Sequence, residues 1–336
     1  MNRDKLSVGV EARIPVRFAP DPLGEFCVMD LRLVIRARNP VEFPIWSFPT
    51  LEVEFDSHSR AFWMFYKADT PPCYTLQTIN DIVDVRESLR ALFRADKPEL
   101  FPVRYFVMAS KRPDIFNLGG DLATFAESIR KGSRAAFRRY GHAAIDGLYG
   151  LTQGFGLPIV TLALVQGDAL GGGLEAAMAE DFLIAERSAK LGVPEVAFNT
   201  FPGMGAASTL TRRMGAAWAE EVMMSGRVFS GAEMHAHGLV DVLAEDGDGV
   251  ACANRWIAGG EQRFADLRSV AQSRRACLPI SYEELIAVND QWGECCYSVS
   301  EGDIRHMDRL VAAQKRKVRS RTNETSQSDG VKHGIS

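Results

Sequence analysis

Residues 167–175, GDALGGGLE, decide the fold of this chain. They follow the apolar run at residues 159–165 (IVTLALV), which predicts a buried strand, and they lead into LEAAMAE, which predicts a short helix. QGDALGGG is predicted to be the loop between them. Three consecutive glycines at this point let the backbone approach a ligand closely. The amides at the start of such a helix are unpaired and point outward, where the helix dipole favours negative charge.

Glu175 is predicted to lie in the first turn of this helix. The dipole there favours the ionised carboxylate, and hence its use as a base. An oxygen that gains charge during a reaction would be stabilised by the neighbouring amides. A glycine-rich turn that only packs against a strand would have the same sequence, so this stretch alone leaves both interpretations open.

A second glycine pair lies in FNLGGD, residues 116–121, after a predicted buried strand at residues 103–110 (VRYFVMAS). A helical stretch is predicted from about residue 122 to residue 149. An oxyanion hole for acyl transfer needs donors from separate loops, and this loop offers the second donor. A plain turn is the alternative interpretation.

Glu195 follows a proline in KLGVPEVAF, so its carboxylate lies in an apolar stretch. Burial there would raise its pKa and suit it to donate a proton. An exposed, ion-paired glutamate at the edge of a loop is the alternative interpretation for this residue.

The remaining pattern indicates repeated strand–strand–helix units. LEVEF at residues 51–55 and AFWMFY at residues 61–66 predict a hairpin, and a helix with Thr75 and Thr78 as candidate N-caps follows. FLIAE at residues 182–186 predicts another strand. The apolar runs lack strict alternation, which favours an α/β fold with mostly parallel strands buried on both faces.

Four regions are predicted along the chain. An N-terminal extension covers residues 1–50, with an edge strand at residues 31–35, and a core covers residues 51–248. A C-terminal helical region covers residues 249–318, and a disordered tail covers residues 319–336. The helical region contains two amphipathic stretches, with these apolar residues on their faces: Leu285, Val288 and Trp292; Ile304, Met307, Leu310 and Val311.

The composition excludes several functional classes. The 336 residues are 46% hydrophobic and 24% charged with a net charge of −4, so no global basic field favours nucleic acid or an anionic membrane. No apolar stretch reaches the ~18 residues of a membrane span, and the N-terminus lacks an apolar signal region. The six cysteines form no C-x-x-C pair. We therefore expect a cytoplasmic protein with no metal, no cofactor, no nucleic-acid partner and no membrane insertion.

The order of four segments resembles the core of the enoyl-CoA hydratase/isomerase (crotonase) superfamily. The segments are FNLGGD, VQGDALGGGLEAAMAEDFLIAE, LGVPEVAFNTFPGMGAASTLTRRMG and MSGRVFSGAEMHAHGLVDVL, within residues 51–243. The resemblance implies a crotonase spiral of repeated ββα units with a C-terminal helical region. It implies Glu175 and Glu195 as catalytic residues and an oxyanion hole at Gly120 and Gly172, with Gly119 beside it. We assign the base role to Glu175 and the acid role to Glu195, although the sequence does not determine which glutamate has which role. The residues that would bind the substrate are Leu170, Gly171, Met204, Trp292 and Leu310.

Within that superfamily the chain is most similar to the bacterial diffusible-signal-factor synthases. The similarity lies in FNLGGDLATFAE, ALVQGDALGGGLEAAMAEDFLIAE, FNTFPGMGA, SGRVFSGAEMHAHGLVDVLAEDG and SYEELIAV. It implies dehydration of a 3-hydroxyacyl-[acyl carrier protein] to the cis-2-enoyl thioester, and hydrolysis to a free cis-2-unsaturated fatty acid for quorum sensing. It also implies a homotrimer or hexamer and a regulatory sensor protein as partner. A general hydratase/isomerase acting on CoA thioesters and a binding protein without turnover are the alternatives.

A basic cluster within the predicted helix at residues 122–149 is a candidate docking site for an acidic carrier protein. Arg130, Lys131, Arg134, Arg138 and Arg139 lie within ten residues that contain no acid. Arg130, Arg134 and Arg138 would share one helix face and steer association. A solvated basic face is the alternative interpretation.

Overall fold

The computed structural model describes residues 46–95, 102–314 and 316. The chain divides between Trp46 and Ser47 into two units, and the described residues beyond Trp46 all belong to the second. The edge strand predicted at residues 31–35 and the tail predicted at residues 319–336 lie outside the described residues.

The described residues contain two sheets. Their strands are β1 (Leu51–Asp56), β2 (Ala61–Tyr66), β3 (Tyr105–Ser110), β4 (Ile115–Asn117), β5 (Val160–Val165), β6 (Asp168–Leu170), β7 (Phe182–Glu186), β8 (Lys190–Gly192), β9 (Val228–Ser230) and β10 (Val242–Ala244). The larger sheet has the order β1-β2-β3-β5-β7-β10, and its neighbouring strands are parallel except for the antiparallel pair β1 and β2. The smaller sheet has the order β4-β6-β8-β9, and its neighbouring strands are parallel except for the antiparallel pair β8 and β9. The predicted hairpin and the predicted parallel sheet are therefore confirmed.

Helices cover the larger sheet and continue into a C-terminal helical region. They are α1 (Leu76–Ala95), α2 (Leu122–Arg130), α3 (Arg134–Thr152), α4 (Gly172–Ala179), α5 (Ala206–Met214), α6 (Ala216–Ser225), α7 (Gly231–Ala236), α8 (Gly249–Gly260), α9 (Phe264–Cys277), α10 (Tyr282–Cys296) and α11 (residues 301–314). In the described ranges no helix is both long enough and apolar enough to cross a membrane. The predicted α/β class with a helical C-terminal region is confirmed.

The central strands are buried along their whole length. Every residue of β2, β3 and β5 is buried, because helices and the second sheet leave neither face of these strands to water. At the start of α1 the hydroxyl of Thr75 accepts a hydrogen bond from the N–H of Thr78 at 3.1 Å. Thr75 is therefore the N-cap, and Thr78 lies inside the first turn.

Two sequence predictions are wrong in detail. The single helix predicted over residues 122–149 is two helices, because the chain turns at Gly132, whose φ of +63° lies in the left-handed region. Arg130 therefore lies on α2, whereas Arg134 and Arg138 lie on α3, and the three do not share one helix. The predicted loop QGDALGGG contains the strand β6.

The smaller sheet brings the two glycine loops together. β4 and β6 are parallel neighbours, with Ile115 opposite Asp168 and Asn117 opposite Ala169. Parallel strands end at the same edge of a sheet. The loop after β4, which contains Gly119 and Gly120, therefore lies beside the loop after β6, which begins α4.

We expect Gly173→Ala to lower the free energy of unfolding by about 2 kcal/mol. The added Cβ would overlap the backbone carbonyl of Asn117 at the end of β4, so the strand and α4 would have to separate. Gly259→Ala in α8 is the matched control, since its Cβ would meet open space and should raise the free energy of unfolding by roughly 0.5–1 kcal/mol. Urea unfolding measures both values, and equal effects of the two substitutions would contradict the prediction.

Candidate active site

Glu175 lies in the first turn of α4 and is 1% exposed. Its Oε1 atom accepts hydrogen bonds from the backbone N–H groups of Met204 and Ala206, each at 2.9 Å. Both amides belong to the segment that enters α5, where Gly205 has a φ of +110° that turns the chain around the carboxylate. One carboxylate oxygen is thus fixed by two amides, and Oε2 takes no part in these bonds.

The pKa of Glu175 differs from the expectation based on the helix dipole. Burial raises its pKa to about 7, while the bonds from Ala206 and Met204 act in the opposite direction. The effect of the helix start, which favours the ionised form, is therefore outweighed, because desolvation raises the pKa of Glu175 more than the two amides lower it. A carboxyl with a pKa near neutrality exchanges its proton readily at physiological pH.

Glu195 lies in the 3₁₀ helix Pro194–Phe198, directly after β8. Its Oε1 atom lies 2.6 Å from where a Cβ on Gly171 would be, so only glycine leaves room for this carboxylate. Its Oε2 atom is buried and has no hydrogen-bond partner in the described part of the chain. Burial raises the pKa of Glu195 well above its usual value, and the charge of Glu175 raises it further.

The amides of Gly120 and Gly172 face the same space. A Cβ on Gly119 would lie 2.8 Å from the Gly172 nitrogen, and a Cβ on Gly172 would lie 3.6 Å from the Gly120 nitrogen. Within the described ranges neither amide donates to a protein acceptor. Two free N–H groups from separate loops can bind one oxygen, which is the arrangement of an oxyanion hole.

Asn117 shapes the first glycine loop and was missed in the sequence. Its Oδ1 atom accepts a hydrogen bond from the N–H of Gly119 at 2.8 Å. Gly119 has a φ of +88°, and the bond stabilises this left-handed turn. A buried asparagine at the end of an apolar strand, just before two glycines, is the signal that could have identified it.

The predicted substrate-binding residues fall into two groups. Leu170 ends β6 and Gly171 is the N-cap of α4, and the Met204 sulfur lies 3.0 Å from where a Cβ on Gly172 would be, so these three border the glycine loops. Trp292 on α10 packs on Gly203 and lies in an aromatic cluster with Phe125 and Phe137. Leu310 is half-buried on α11, and its role stays a prediction.

A cavity of about 410 Å³ opens beside the first glycine loop. This volume lies within the usual range for small-molecule sites. Its lining residues are Asp69, Thr70, Pro71, Pro72, Cys73, Thr75, Asp121, Leu122, Ala123, Val311 and Gln314. Asp121 follows Gly120 in the chain and lines this cavity, whereas Gly120, Gly172 and the two glutamates do not line it. In the ranges that the structure describes, no group of His, Cys, Asp or Glu could hold a metal ion.

Carboxylates of the C-terminal helices neutralise the predicted basic cluster. Arg130 pairs with Asp308 and Glu301, Arg134 with Glu294, and Arg138 with Asp290. These arginine side chains are 40–65% exposed. The cluster therefore joins α2 and α3 to the C-terminal helices, and it presents less positive charge than its sequence indicates.

Comparison with known proteins identifies the family. The enoyl-CoA hydratase/isomerase family matches residues 81–274, and the chain belongs to this family. Over 100 residues it is 45% identical to cyclohexa-1,5-dienecarbonyl-CoA hydratase of Thauera aromatica. This aligned stretch covers 30% of this chain and 38% of that protein. Over 150 residues it is 37% identical to the mitochondrial methylglutaconyl-CoA hydratase of Rattus norvegicus, covering 44% of this chain and 45% of that protein. The chain thus spans less than half the length of these relatives.

Solved structures share the fold at low sequence identity. Enoyl-CoA hydratase from Bacillus halodurans has a TM-score of 0.61 at 19% identity, over 77% of this chain and 98% of that one. Pseudomonas aeruginosa DspI has a TM-score of 0.56 at 23% identity, over 74% of this chain and 93% of that one. The expected crotonase fold is confirmed by these neighbours.

The raised pKa of Glu175 predicts a pH-dependent stability. Below its usual value of 4.5 the carboxyl is protonated in both the folded and the unfolded state. Between 4.5 and about 7 the unfolded state ionises while the folded state keeps its proton, so stability is lost as the pH rises. Glu175→Gln removes this titration and still accepts both amide bonds through its Oε1.

We therefore compare the free energy of unfolding of Glu175→Gln with that of wild type. The difference, variant minus wild type, should increase by about 2 kcal/mol from pH 5 to pH 8. Urea unfolding at the two pH values measures this difference. A difference that is constant over this range would show that Glu175 titrates normally in the folded state.

Proposed function

We propose that the protein adds water to, or eliminates water from, the α,β-bond of an acyl thioester. The observation that carries the proposal is the pair of free amides, Gly120 and Gly172, next to two buried carboxyls with raised pKa values. An enolate oxygen needs the amides, and transfer of protons at Cα and at the 3-hydroxyl needs the carboxyls. The names of the relatives, which are hydratases of CoA thioesters, support this class of reaction.

The pKa values of the two glutamates support base and acid roles in this proposal. Glu175, with a pKa of about 7, is partly ionised at neutral pH and can remove the α-proton. Burial and the charge of Glu175 keep the proton on Glu195, which can then protonate the departing 3-hydroxyl. The thioester carbonyl oxygen would lie between the Gly120 and Gly172 amides, where charge develops as the α-proton leaves.

A second candidate adds hydrolysis of the thioester, as in the diffusible-signal-factor synthases. The segments quoted for that resemblance support it, and so does the cavity beside the first glycine loop. Asp69 and Asp121 line this cavity, and its described lining residues include no lysine or arginine. The diphosphate and 3′-phosphate of CoA would gain no cationic partner there, whereas the arm of an acyl carrier protein carries a single phosphate and leaves the acidic surface of the carrier outside. In this proposal the protein acts in the cytoplasm, as a trimer or hexamer, and a sensor protein is its regulatory partner.

The reaction is tested with 3-hydroxydodecanoyl-[acyl carrier protein] and trans-2-dodecenoyl-CoA, with the products followed by mass spectrometry. We expect wild type to interconvert hydroxyacyl and enoyl thioesters, and Glu175→Gln and Glu195→Gln each to lower kcat by at least ~10²-fold. Release of a free cis-2-enoic acid would establish the synthase reaction. Reversible hydration of the CoA thioester without free acid would establish the general hydratase. No turnover of either substrate would contradict the proposal and favour a binding protein.

The arginine cluster carries a separate proposal for docking the carrier. Because exposed ion pairs contribute only ~0.2–1 kcal/mol, carboxylates of an acidic carrier can replace Glu294 and Asp290 at little cost. We expect the double substitution Arg134→Glu and Arg138→Glu to raise KM for the carrier-bound substrate about tenfold. KM for a short pantetheine thioester should stay unchanged, and equal effects on the two substrates would exclude docking at this face.

A further inference from the structure

The hydroxyl of Tyr140, on α3, lies between two backbone segments at the first glycine loop. It donates a hydrogen bond to the carbonyl oxygen of Tyr74 and accepts one from the N–H of Asp121 at 3.2 Å. The N–H of Tyr74 donates directly to the carbonyl of Gly119 at 2.8 Å. Tyr74 and Gly120 form a parallel β-bridge. The hydroxyl is thus part of the backbone pairing that holds the loop.

The geometry of a parallel bridge determines where the Gly120 amide points. In such a bridge Tyr74 bonds to the two residues that flank Gly120, and the N–H and C=O of Gly120 itself lie on the opposite edge. That edge faces Gly172. The bond to Gly119 is direct, whereas the hydroxyl of Tyr140 relays the bond from Asp121 to Tyr74. Without the hydroxyl, the Asp121 side of Gly120 would be held to Tyr74 only by the backbone pairing of the bridge itself.

The environment of Tyr140 allows the hydroxyl to donate and accept at the same time. The residue is 2% exposed, and burial raises the pKa of its hydroxyl far above the usual value, so it keeps its proton. Its ring packs edge-on against Phe125 at a centroid distance of 5.1 Å. Phe125 in turn contacts Gly120, whose missing side chain leaves space for the ring. The ring of Phe125 thus fills the space beside Gly120, and the hydroxyl of Tyr140 orients the loop.

We propose that Tyr140 is a positioning residue for the oxyanion hole, whose hydroxyl fixes the direction of the Gly120 amide. This inference rests on the proposed function for its catalytic consequence, but not for its geometry. Tyr140 does not touch the reacting atoms. It acts through Asp121 and Tyr74, which hold the two sides of the Gly120 peptide.

The kinetic test compares Tyr140→Phe with Tyr66→Phe. Tyr66 is a matched control because it is also buried, and its hydroxyl bonds to the hydroxyl of Tyr74 at 2.7 Å and to the Met108 sulfur, not to the loop backbone. We expect Tyr140→Phe to lower kcat about tenfold with KM changed less than about twofold, because a misplaced donor weakens transition-state binding more than substrate binding. The apparent pKa of the pH–rate profile should not change. Tyr66→Phe should change kcat less than about twofold.

Binding of an enolate mimic gives a second readout of the same effect. A 3-oxoacyl thioester has no 3-hydroxyl to eliminate, and when it binds as its enolate it places part of its negative charge on the thioester oxygen at the two amides. We expect Tyr140→Phe to weaken its binding about tenfold, in step with kcat, while binding of the substrate is retained. Equal losses for the enolate mimic and the substrate would indicate a general structural role and would overturn the proposal.

Crystal structures of Tyr140→Phe and Tyr66→Phe show whether the Gly120 amide moves. They therefore test the positioning role of Tyr140 independently of whether the proposed reaction occurs. In Tyr140→Phe we expect the Gly120 nitrogen to move by about 0.5 Å or more, because a preorganised site tolerates shifts only up to about this size. In Tyr66→Phe we expect the same nitrogen to stay in place. If wild type turns over neither thioester but the amide moves only in Tyr140→Phe, the proposed function fails and the positioning role stands. If the amide of Tyr140→Phe does not move, the positioning role is wrong whatever the kinetics.

Discussion

The close approach of two glycine loops is the constraint on which the site depends. A Cβ on Gly119 would lie 2.8 Å from both the nitrogen of Gly172 and the carbonyl oxygen of Leu170, so no side chain fits between the loops. The parallel pairing of β4 with β6 brings them together, and the left-handed φ of Gly119 turns the first loop toward the second. A larger residue at this position would separate the two amides that face each other across the site.

The acid–base pair depends on the same loops. Gly171 leaves space for the Glu195 carboxylate, and Gly172 begins the helix that carries Glu175. The amides of Met204 and Ala206 then fix one oxygen of Glu175 from a third segment. Two separate stretches of chain, α4 and residues 204–206, therefore meet at the Glu175 carboxylate, and the Glu195 carboxylate lies against Gly171. Such convergence restricts the motion of the reacting groups, which is what preorganisation requires.

Much of this arrangement could be predicted from the sequence because it is encoded locally. Runs of glycine, the carboxylates beside them and the apolar strands before them lie within short segments, so the hairpin and the parallel strands were predicted correctly, whereas the short strand β6 inside the second glycine loop was missed. The break at Gly132 was not, because the amphipathic pattern continues through it and only the left-handed φ ends the helix. The amides on Glu175 could not be predicted either, since they lie 29 and 31 residues further along the chain. The acidic partners of the arginine cluster are more distant still: the pair of Arg138 with Asp290 spans 152 residues.

The raised pKa values of the two glutamates follow from burial, and they would suit the elimination that we propose. Two ionised carboxylates would repel each other in a space with few partners, and Oε2 of Glu195 has no hydrogen-bond partner in the described ranges. A state with one proton on the pair therefore becomes accessible near neutral pH, where Glu175 begins to ionise. Elimination of water needs one base and one acid at the same moment, which is this singly protonated state. Burial thus costs folding stability and, by the same physical effect, gives the two carboxyls different protonation states.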